Sequence, residues 1–540
     1  MKKKNENETK NAPLLYGDHK TPVTRRDFLA SGLLGMSTLA LSSSALSLFS
    51  QSAWAQSQCP QTAALMTGNI PFLCLDCAGG MNIAGGNAMI GQFASEFQGE
   101  VGTVSTDYVK LGIPSEFHPS KTGMINKDFG LKFHSSSGIL AGMNEVLAPR
   151  AGETKDLRQY VDGAILGAIT NDDTQNNPLN TVYMAHKAGA IGQLVQLVGN
   201  QNSNSGGNSI SPADQIDLTK KPSQLTNFES SEGLLSIGQN IMGPNFLNAG
   251  GTDGNVRLKR FMELLGRSGS SQRNAISVKS QALGDEVSKY QQRLDGTNAV
   301  FNQFSPAQLN PTKNTVDGTV LADVYGKAIT AFDGSEIQSS NILNLLTKRT
   351  VGAGTISVGG GDYHNGTATT GQAKDVEIGR YIGWGIRMAA ARNTPFFIHV
   401  FTDGGVVGDA AGQVDPQLPN RVLWRSDDGT RSAALMIVFH PNKMRAVVGG
   451  NDEYSNFLLA NKTRQIGYYK PGGGSALDAH SLSNNVSKLW IGIILNYMAT
   501  MVNSTDDDQI RNVVGEQFRC RFGDLPADWA KLIRFRSLIA

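Results

Sequence analysis

In the run Gly359-Gly360-Gly361-Asp362-Tyr363-His364 a carboxylate and an imidazole stand two residues apart. In an extended segment residues i and i+2 point the same way, so Asp362 and His364 can converge on one ion. Further acids stand beside apolar runs: Asp76 closes Ile70–Asp76, Asp403 follows Thr394–Thr402, and Asp428 lies close to Ala433–Phe439. Carboxylate and imidazole in this combination suit a divalent cation such as Zn²⁺ or Mn²⁺, and the hard carboxylates would also accept Mg²⁺ or Ca²⁺. The expectation is one divalent ion with Asp76, Asp362, His364, Asp403 and Asp428 as candidate ligands.

These residues need a sheet to bring them together, and the sequence supplies its parts. Ile70–Asp76 is apolar until it ends in an acid before Cys-Ala-Gly-Gly, which is how a buried parallel strand opens onto a loop. Gly354–Gly360 and Thr394–Thr402 read the same way. Between them Val376, Ile378, Ile382, Ile386, Met388 and Ala389 recur at helical spacing over Asp375–Asn393. Strand, helix, strand predicts a right-handed βαβ unit with both strands parallel. Ala433–Phe439 and Gln193–Val198 are a fourth and a fifth strand, and helices on both faces of a mostly parallel sheet complete an α/β fold. In such sheets ligands bind outside the carboxyl ends of the strands, where the candidate acids fall.

Other histidines carry weaker signals. His399 inside PFFIHVF reads as a buried core residue, and His440 before Pro441 as a strand-end residue. His134 precedes Ser135-Ser136-Ser137-Gly138, whose serines could cap a following helix. His118, His186 and His480 have no motif around them. Cys74-x-x-Cys77 has the spacing of a redox or metal pair, but no second CxxC exists and the pair sits in a strand-like run. Cys59 and Cys520 complete an even set of four, which in an oxidising compartment favours disulfides, with all three pairings open.

The N-terminus is the most specific part of the chain. A polar region leads to Thr24-Arg25-Arg26-Asp27-Phe28-Leu29, then to a Ser- and Gly-diluted apolar stretch Leu33–Phe49, then to Ala53-Trp54-Ala55. This order looks like a twin-arginine signal peptide over residues 1–55, read by the twin-arginine translocase and leaving a periplasmic product. The apolar stretch is too short and too polar to be a permanent membrane span, and Leu489–Val502 reads as a buried helix.

Removing the first 55 of 540 residues leaves 485, enough for a large α/β domain with insertions. It also takes the basic and acidic totals from 48 and 46 to 41 and 42. That near-neutral balance, with no basic face, gives no reason to expect nucleic acid as a partner. With 40% hydrophobic and 17% charged residues, disordered and coiled-coil classes are excluded. The reading divides the remainder into a first part of the core (56–211), a mainly helical insertion (212–340) with amphipathic segments at Val256–Leu265 and Leu283–Leu294, and a second part of the core with C-terminal helices (341–540). The loop Gly199–Ser211, GNQNSNSGGNSIS, is expected to be flexible.

Several stretches, in order, resemble a twin-arginine-exported family of uncharacterised function within the alkaline phosphatase superfamily. They are Leu75–Ile83, LDCAGGMNI; Phe129-Gly130-Leu131-Lys132-Phe133-His134; Gly360-Gly361-Asp362-Tyr363-His364; and Phe401–Val406, FTDGGV. The resemblance implies an alkaline phosphatase-like fold. In that superfamily strand-end residues hold two metals that orient a Ser or Thr nucleophile for phosphoryl or sulfuryl transfer. It would make Asp76, Asp362, His364 and Asp403 metal ligands and Ser203, Ser205 or Ser209 the nucleophile. This chain departs from that pattern: Gly79-Gly80 stands where the family has an acid, Asp427-Asp428-Gly429 where it has Asp-His-Gly, and Gly404 follows Asp403 where hydrolases commonly have His. The implied function is therefore an exported periplasmic protein with a degenerate metal site. The alternatives are a metal-dependent hydrolase of phosphate or sulfate esters, or an envelope binding or assembly component with a protein partner.

Overall fold

A computed structural model describes residues 65–66, 69–91, 106–171, 174–240, 305–364, 366–442, 464–470, 472, 474 and 480–540. The export segment, Cys59, and the amphipathic segments Val256–Leu265 and Leu283–Leu294 lie outside the described residues.

In chain order the strands are β1 (Phe72–Cys77), β2 (Ile125–Phe129), β3 (Leu131–His134), β4 (Val161–Ala168), β5 (Val195–Gly199), β6 (Ser223–Gln224), β7 (Val351–Ser357), β8 (Phe396–Thr402), β9 (Val406–Gly408), β10 (Trp424–Asp427), β11 (Ser432–Phe439) and β12 (Gln465–Ile466). Eight of them form one sheet in the order β12-β4-β11-β8-β1-β7-β5-β6, while β2–β3 and β9–β10 are two-stranded ribbons. β1 lies at the centre, parallel to β7 on one side and β8 on the other. Its residues are buried on both faces, as the unbroken apolar run requires.

The two faces carry separate cores. Leu73, Leu75 and Cys77 point to one, packed with Ile139, Met143, Ile378, Ile382 and Ile386; Phe72 and Cys74 point to the other, with Val182, Ile494, Tyr497 and Phe518. Helix α1 (Gly138–Leu147) and helix α2 (Ala368–Ala391) cross on the first face so closely that Gly142 and Gly379 meet backbone to backbone. A Cβ at either position would collide with the other helix. α2 is the crossover expected between β7 and β8, beginning earlier than the apolar periodicity does. On the second face the helices Trp490–Thr500 and Asp507–Phe522 cover the sheet, the first buried along its whole length. No helix among the described residues is long and apolar enough to cross a membrane.

Two expectations change. β11 runs antiparallel to β8 and to β4. Its buried run reads the same in either direction, and the connection sets the choice: residues 403–431 carry the β9–β10 ribbon but no crossover helix, which a parallel strand would need. The loop Gly199–Ser211 is fastened rather than free. Ser205, Ser209 and Ser211 are buried, and Ser205 and Ser209 hydrogen-bond within the loop or to β1.

Candidate metal centre

Because β1, β7 and β8 are parallel, Asp76, the segment after β7 and Asp403 all arrive at one edge of the sheet. Reversal of β11 brings a further segment there. Its N-terminal end, paired with the end of β4, lies on the same edge, so Asp427 and Asp428 reach it from the residues before a strand instead of after one. His440, at the other end of β11, leaves at the opposite edge.

At this edge the sequence candidates separate. His364 Nε2 lies 2.7 Å from Asp427 Oδ2 and 3.5 Å from Asp362 Oδ2. One donor atom from each of the three residues falls within 4.8 Å of the others, a spacing that a single ion can bridge. The His364 side chain is 14% exposed, against 37% for Asp362 and 40% for Asp427, so the cluster opens to solvent through its acids. His364 Nδ1 is buried without a hydrogen-bond partner. One imidazole and two carboxylates form a donor set that suits Zn²⁺ or Mn²⁺, with remaining positions left to water.

Local structure explains how the three meet. Asp362 and His364 alternate with Tyr363, so when the two ligands face the edge Tyr363 turns inward, where it is 1% exposed. Its ring packs edge-on against Trp424, 5.3 Å between centroids. Trp424 opens β10 and Asp427 closes it, so this one aromatic contact ties together the two segments that supply the ligands. The Asp362 carboxylate accepts from the His364 amide at 3.2 Å, and Thr367 Oγ1 donates to the Asp362 carbonyl at 3.0 Å. Gly79 and Gly80 lie beneath: a Cβ on Gly80 would come 2.7 Å from Asp427 Oδ1, and one on Gly79 3.3 Å from the Asp362 nitrogen. Gly79 also has φ +110°, a conformation L side chains rarely adopt.

The remaining candidates serve the scaffold. Asp76 is fully buried and accepts from the Ser209 amide at 2.7 Å and the Ser209 hydroxyl at 2.6 Å. Burial raises its pKa above the usual carboxylate range, and the bonds from Ser209 pull it back. Asp403 accepts from the amides of Gly79 and Gln175, each at 2.7 Å, and so pins the loops after β1 and β4. Burial pushes it up to about 6. Asp428 accepts from the Thr430 amide at 2.9 Å and hydroxyl at 2.6 Å, and pairs with Arg431. All three acids reach the edge, but these bonds occupy their carboxylates away from the Asp362–His364–Asp427 group.

The serine hydroxyls are also engaged. Ser203 Oγ donates to the Gly207 carbonyl at 2.6 Å, Ser205 Oγ to the Ser209 carbonyl at 2.6 Å, and Ser209 Oγ to Asp76. Each fastens the loop. Cys74 and Cys77 are free thiols buried on opposite faces of the sheet, as positions three apart in a strand must be. Burial lifts Cys74 to about 12 and raises Cys77 well above its ordinary value, which makes both unreactive. Cys520 is disulfide-bonded.

Two histidines outside the cluster are held by the fold. His399 bonds Thr181 Oγ1 at 2.9 Å, and burial lowers it to about 3. His134 lies between Ser136 Oγ at 2.6 Å and the Phe117 carbonyl at 2.8 Å, lowered to about 4 by burial. Ser137 caps α1 through Leu140 N, as the serine run suggested.

Asp427 is the member of this group that sequence reasoning passed over in favour of its neighbour. A signal was present: Asp428-Gly429-Thr430-Arg431 has the form of a turn whose first Asp accepts from the residue two on, which engages Asp428 and makes its neighbour Asp427 the acid that meets His364. Compared with protein-family models, curated protein sequences and solved structures, the chain matches none.

Proposed function

We propose that this chain is an exported periplasmic protein on an alkaline phosphatase-like fold, whose strand-end site holds one divalent cation at Asp362, His364 and Asp427, with none of the candidate loop serines serving as a hydrolytic nucleophile. The carrying observation is the convergence of one donor atom from each of these residues within 4.8 Å, at the edge where open α/β sheets bind ligands. A two-metal hydrolase would need further ligands and an available hydroxyl, yet Asp76, Asp403 and Asp428 are satisfied by other donors, the Ser203 and Ser205 hydroxyls bond within the loop and that of Ser209 bonds Asp76. These features favour cation binding in an envelope binding or assembly component over ester hydrolysis. Export by the twin-arginine translocase rests on the Arg25-Arg26 segment, and the disulfide at Cys520 suits an oxidising compartment.

The test joins two readouts on protein purified from the periplasm, namely metal content and turnover of generic aryl phosphate and sulfate esters. One bound divalent ion with no turnover is the expected result. Metal-dependent turnover would restore the hydrolase reading, and absence of both metal and turnover would remove the site.

A further inference from the structure

Behind the ligand-bearing turn lies a polar network that the cation would never touch. The Tyr363 hydroxyl, on the residue between Asp362 and His364, donates to Asp375 Oδ2 on α2. Asp375 is fully buried. Asn87 Nδ2 donates to the same Oδ2 at 2.6 Å, while Oδ1 has no hydrogen-bond partner. Asn87 Oδ1 in turn accepts from Ser137 Oγ at 2.6 Å and from the Ile139 amide at 3.1 Å, which anchors the chain of bonds in the first turn of α1.

Charged and titratable groups around Asp375 come from each neighbouring element. Tyr363 reaches it from the loop after β7, and Cys77 lies on β1. Arg421, buried on the segment before β10, acts through its charge alone, since its guanidinium donates to the carbonyls of Gly86, Ser136 and Asn420 and to Ser136 Oγ. On α1, Gly138 packs against it: a Cβ there would come 2.5 Å from the Asp375 Cβ. No salt bridge among the described residues neutralises it.

Resting on the cation reading above, we propose that Asp375 is a positioning residue: through the Tyr363 hydroxyl it fixes the Asp362–His364 pair in its ligating geometry and makes cation affinity depend on whether Asp375 carries a proton. The geometry supports this because Tyr363 has few alternatives. Its ring is held by Trp424 and sits against Gly371, where a Cβ would strike the ring, so the hydroxyl bond sets how far the turn projects. Burial pushes the Asp375 carboxyl up to about 7, against the pull of the bonds from Tyr363 and Asn87. Above that range the carboxylate gives Tyr363 a charge-assisted bond; below it, a proton on the unpartnered Oδ1 leaves a neutral bond of roughly half the strength. Since the cation favours the ionised form, affinity falls as pH falls through about 7, in addition to competition between protons and metal at the imidazole.

The experiment titrates the full-length exported protein with Co²⁺ alone at pH 6, 7 and 8, following heat and the visible d–d spectrum. The variants are Tyr363→Phe and Asp375→Asn, with melting by circular dichroism to confirm folding. Tyr363→Phe keeps the ring against Trp424 and loses one oxygen, so it reports even where Asp375→Asn fails to fold. The expected result is about a tenfold loss of affinity at pH 8 in each folded variant with an altered spectrum, in line with the cost of removing groups that orient metal ligands. Their dependence of log Kd on pH should also be shallower than that of the parent. Wild-type affinity, spectrum and pH dependence in Tyr363→Phe would overturn the positioning role while leaving the cation site standing. No Co²⁺ binding by the parent protein would overturn both.

Discussion

Gly80→Ala separates the ligand role of Asp427 from the stability of the fold. The added Cβ would lie 2.7 Å from Asp427 Oδ1 and 3.0 Å from Val406 Cγ1, with the Gly405 carbonyl at an ordinary 3.6 Å. Gly80 is not among the residues with positive φ, so the backbone accepts alanine and the cost comes from crowding alone. Relief requires the Asp427 carboxylate to retreat by roughly half an ångström or more, since carbon and oxygen without a hydrogen bond do not settle much below van der Waals contact. Asp427 is 40% exposed at the end of a two-stranded ribbon, so it can swing into solvent. Overpacking costs about 1–3 kcal/mol in a closed core, and this open position places the change near the lower end, a fall of a few degrees in Tm. The same swing breaks the 2.7 Å contact between His364 and Asp427. Cation affinity should therefore fall by about tenfold or more, well out of proportion to the stability change. Isothermal titration with Zn²⁺, beside a thermal melt and with Asp427→Asn as reference, reads both quantities. Unchanged Zn²⁺ affinity in both variants would refute the assignment of Asp427 as a ligand.

Three further outcomes follow from other parts of the chain. Arg25→Lys with Arg26→Lys should trap precursor in the cytoplasm, read by fractionation, and normal periplasmic levels would contradict the export assignment. Ser209→Ala removes a 2.6 Å bond to the buried Asp76 and should cost about 1–3 kcal/mol in urea unfolding; no loss would mean the loop is not fastened as described. His399, lowered to about 3 by burial, stays neutral in the fold while the unfolded chain takes up its proton below about pH 6.5. Its contribution is thus fully present above that pH and lost on acidification. The stability of the parent relative to His399→Gln should therefore shrink between pH 7 and pH 4, and a difference independent of pH would contradict the neutral assignment.

Much of the sheet was legible because buried parallel strands leave uninterrupted apolar runs. Ile70–Asp76 and Thr394–Thr402 needed no partner to be recognised, and the helix between β7 and β8 gave the parallel direction of those two strands. β4 was missed because Val161–Ala168 carries Asp162, Gly163 and Gly167 in place of a branched apolar run. Asp162 is tolerated there because Arg464 pairs with it at 2.7 Å from a segment far along the chain, a partner that local pattern cannot reveal. The pair Asp362 and His364 was legible from spacing alone. Its third member was not, because Asp427 reaches the site only when β11 reverses, and reversal is a property of the 403–431 connection rather than of the strand's own residues. Asp76 and Asp403 illustrate the converse. Both stand at strand ends, as ligands do, yet buried amides, and for Asp76 a serine hydroxyl as well, take their oxygens, and nothing in the sequence marks a carboxylate as already satisfied.

Elemental analysis of the purified protein, parent beside His364→Ala, addresses the cation site most directly. His364 is the only nitrogen donor in the group and contacts both acids, so its loss removes one of the three donor atoms that converge there. The account predicts close to one Zn²⁺ or Mn²⁺ per parent chain after dialysis, and loss of that ion in the folded variant, with a lower Tm because an ion bound only to the native state stabilises it by mass action. A parent protein free of divalent metal that also fails to take up added Zn²⁺ or Mn²⁺, or a variant that retains the parent's full complement, would contradict it.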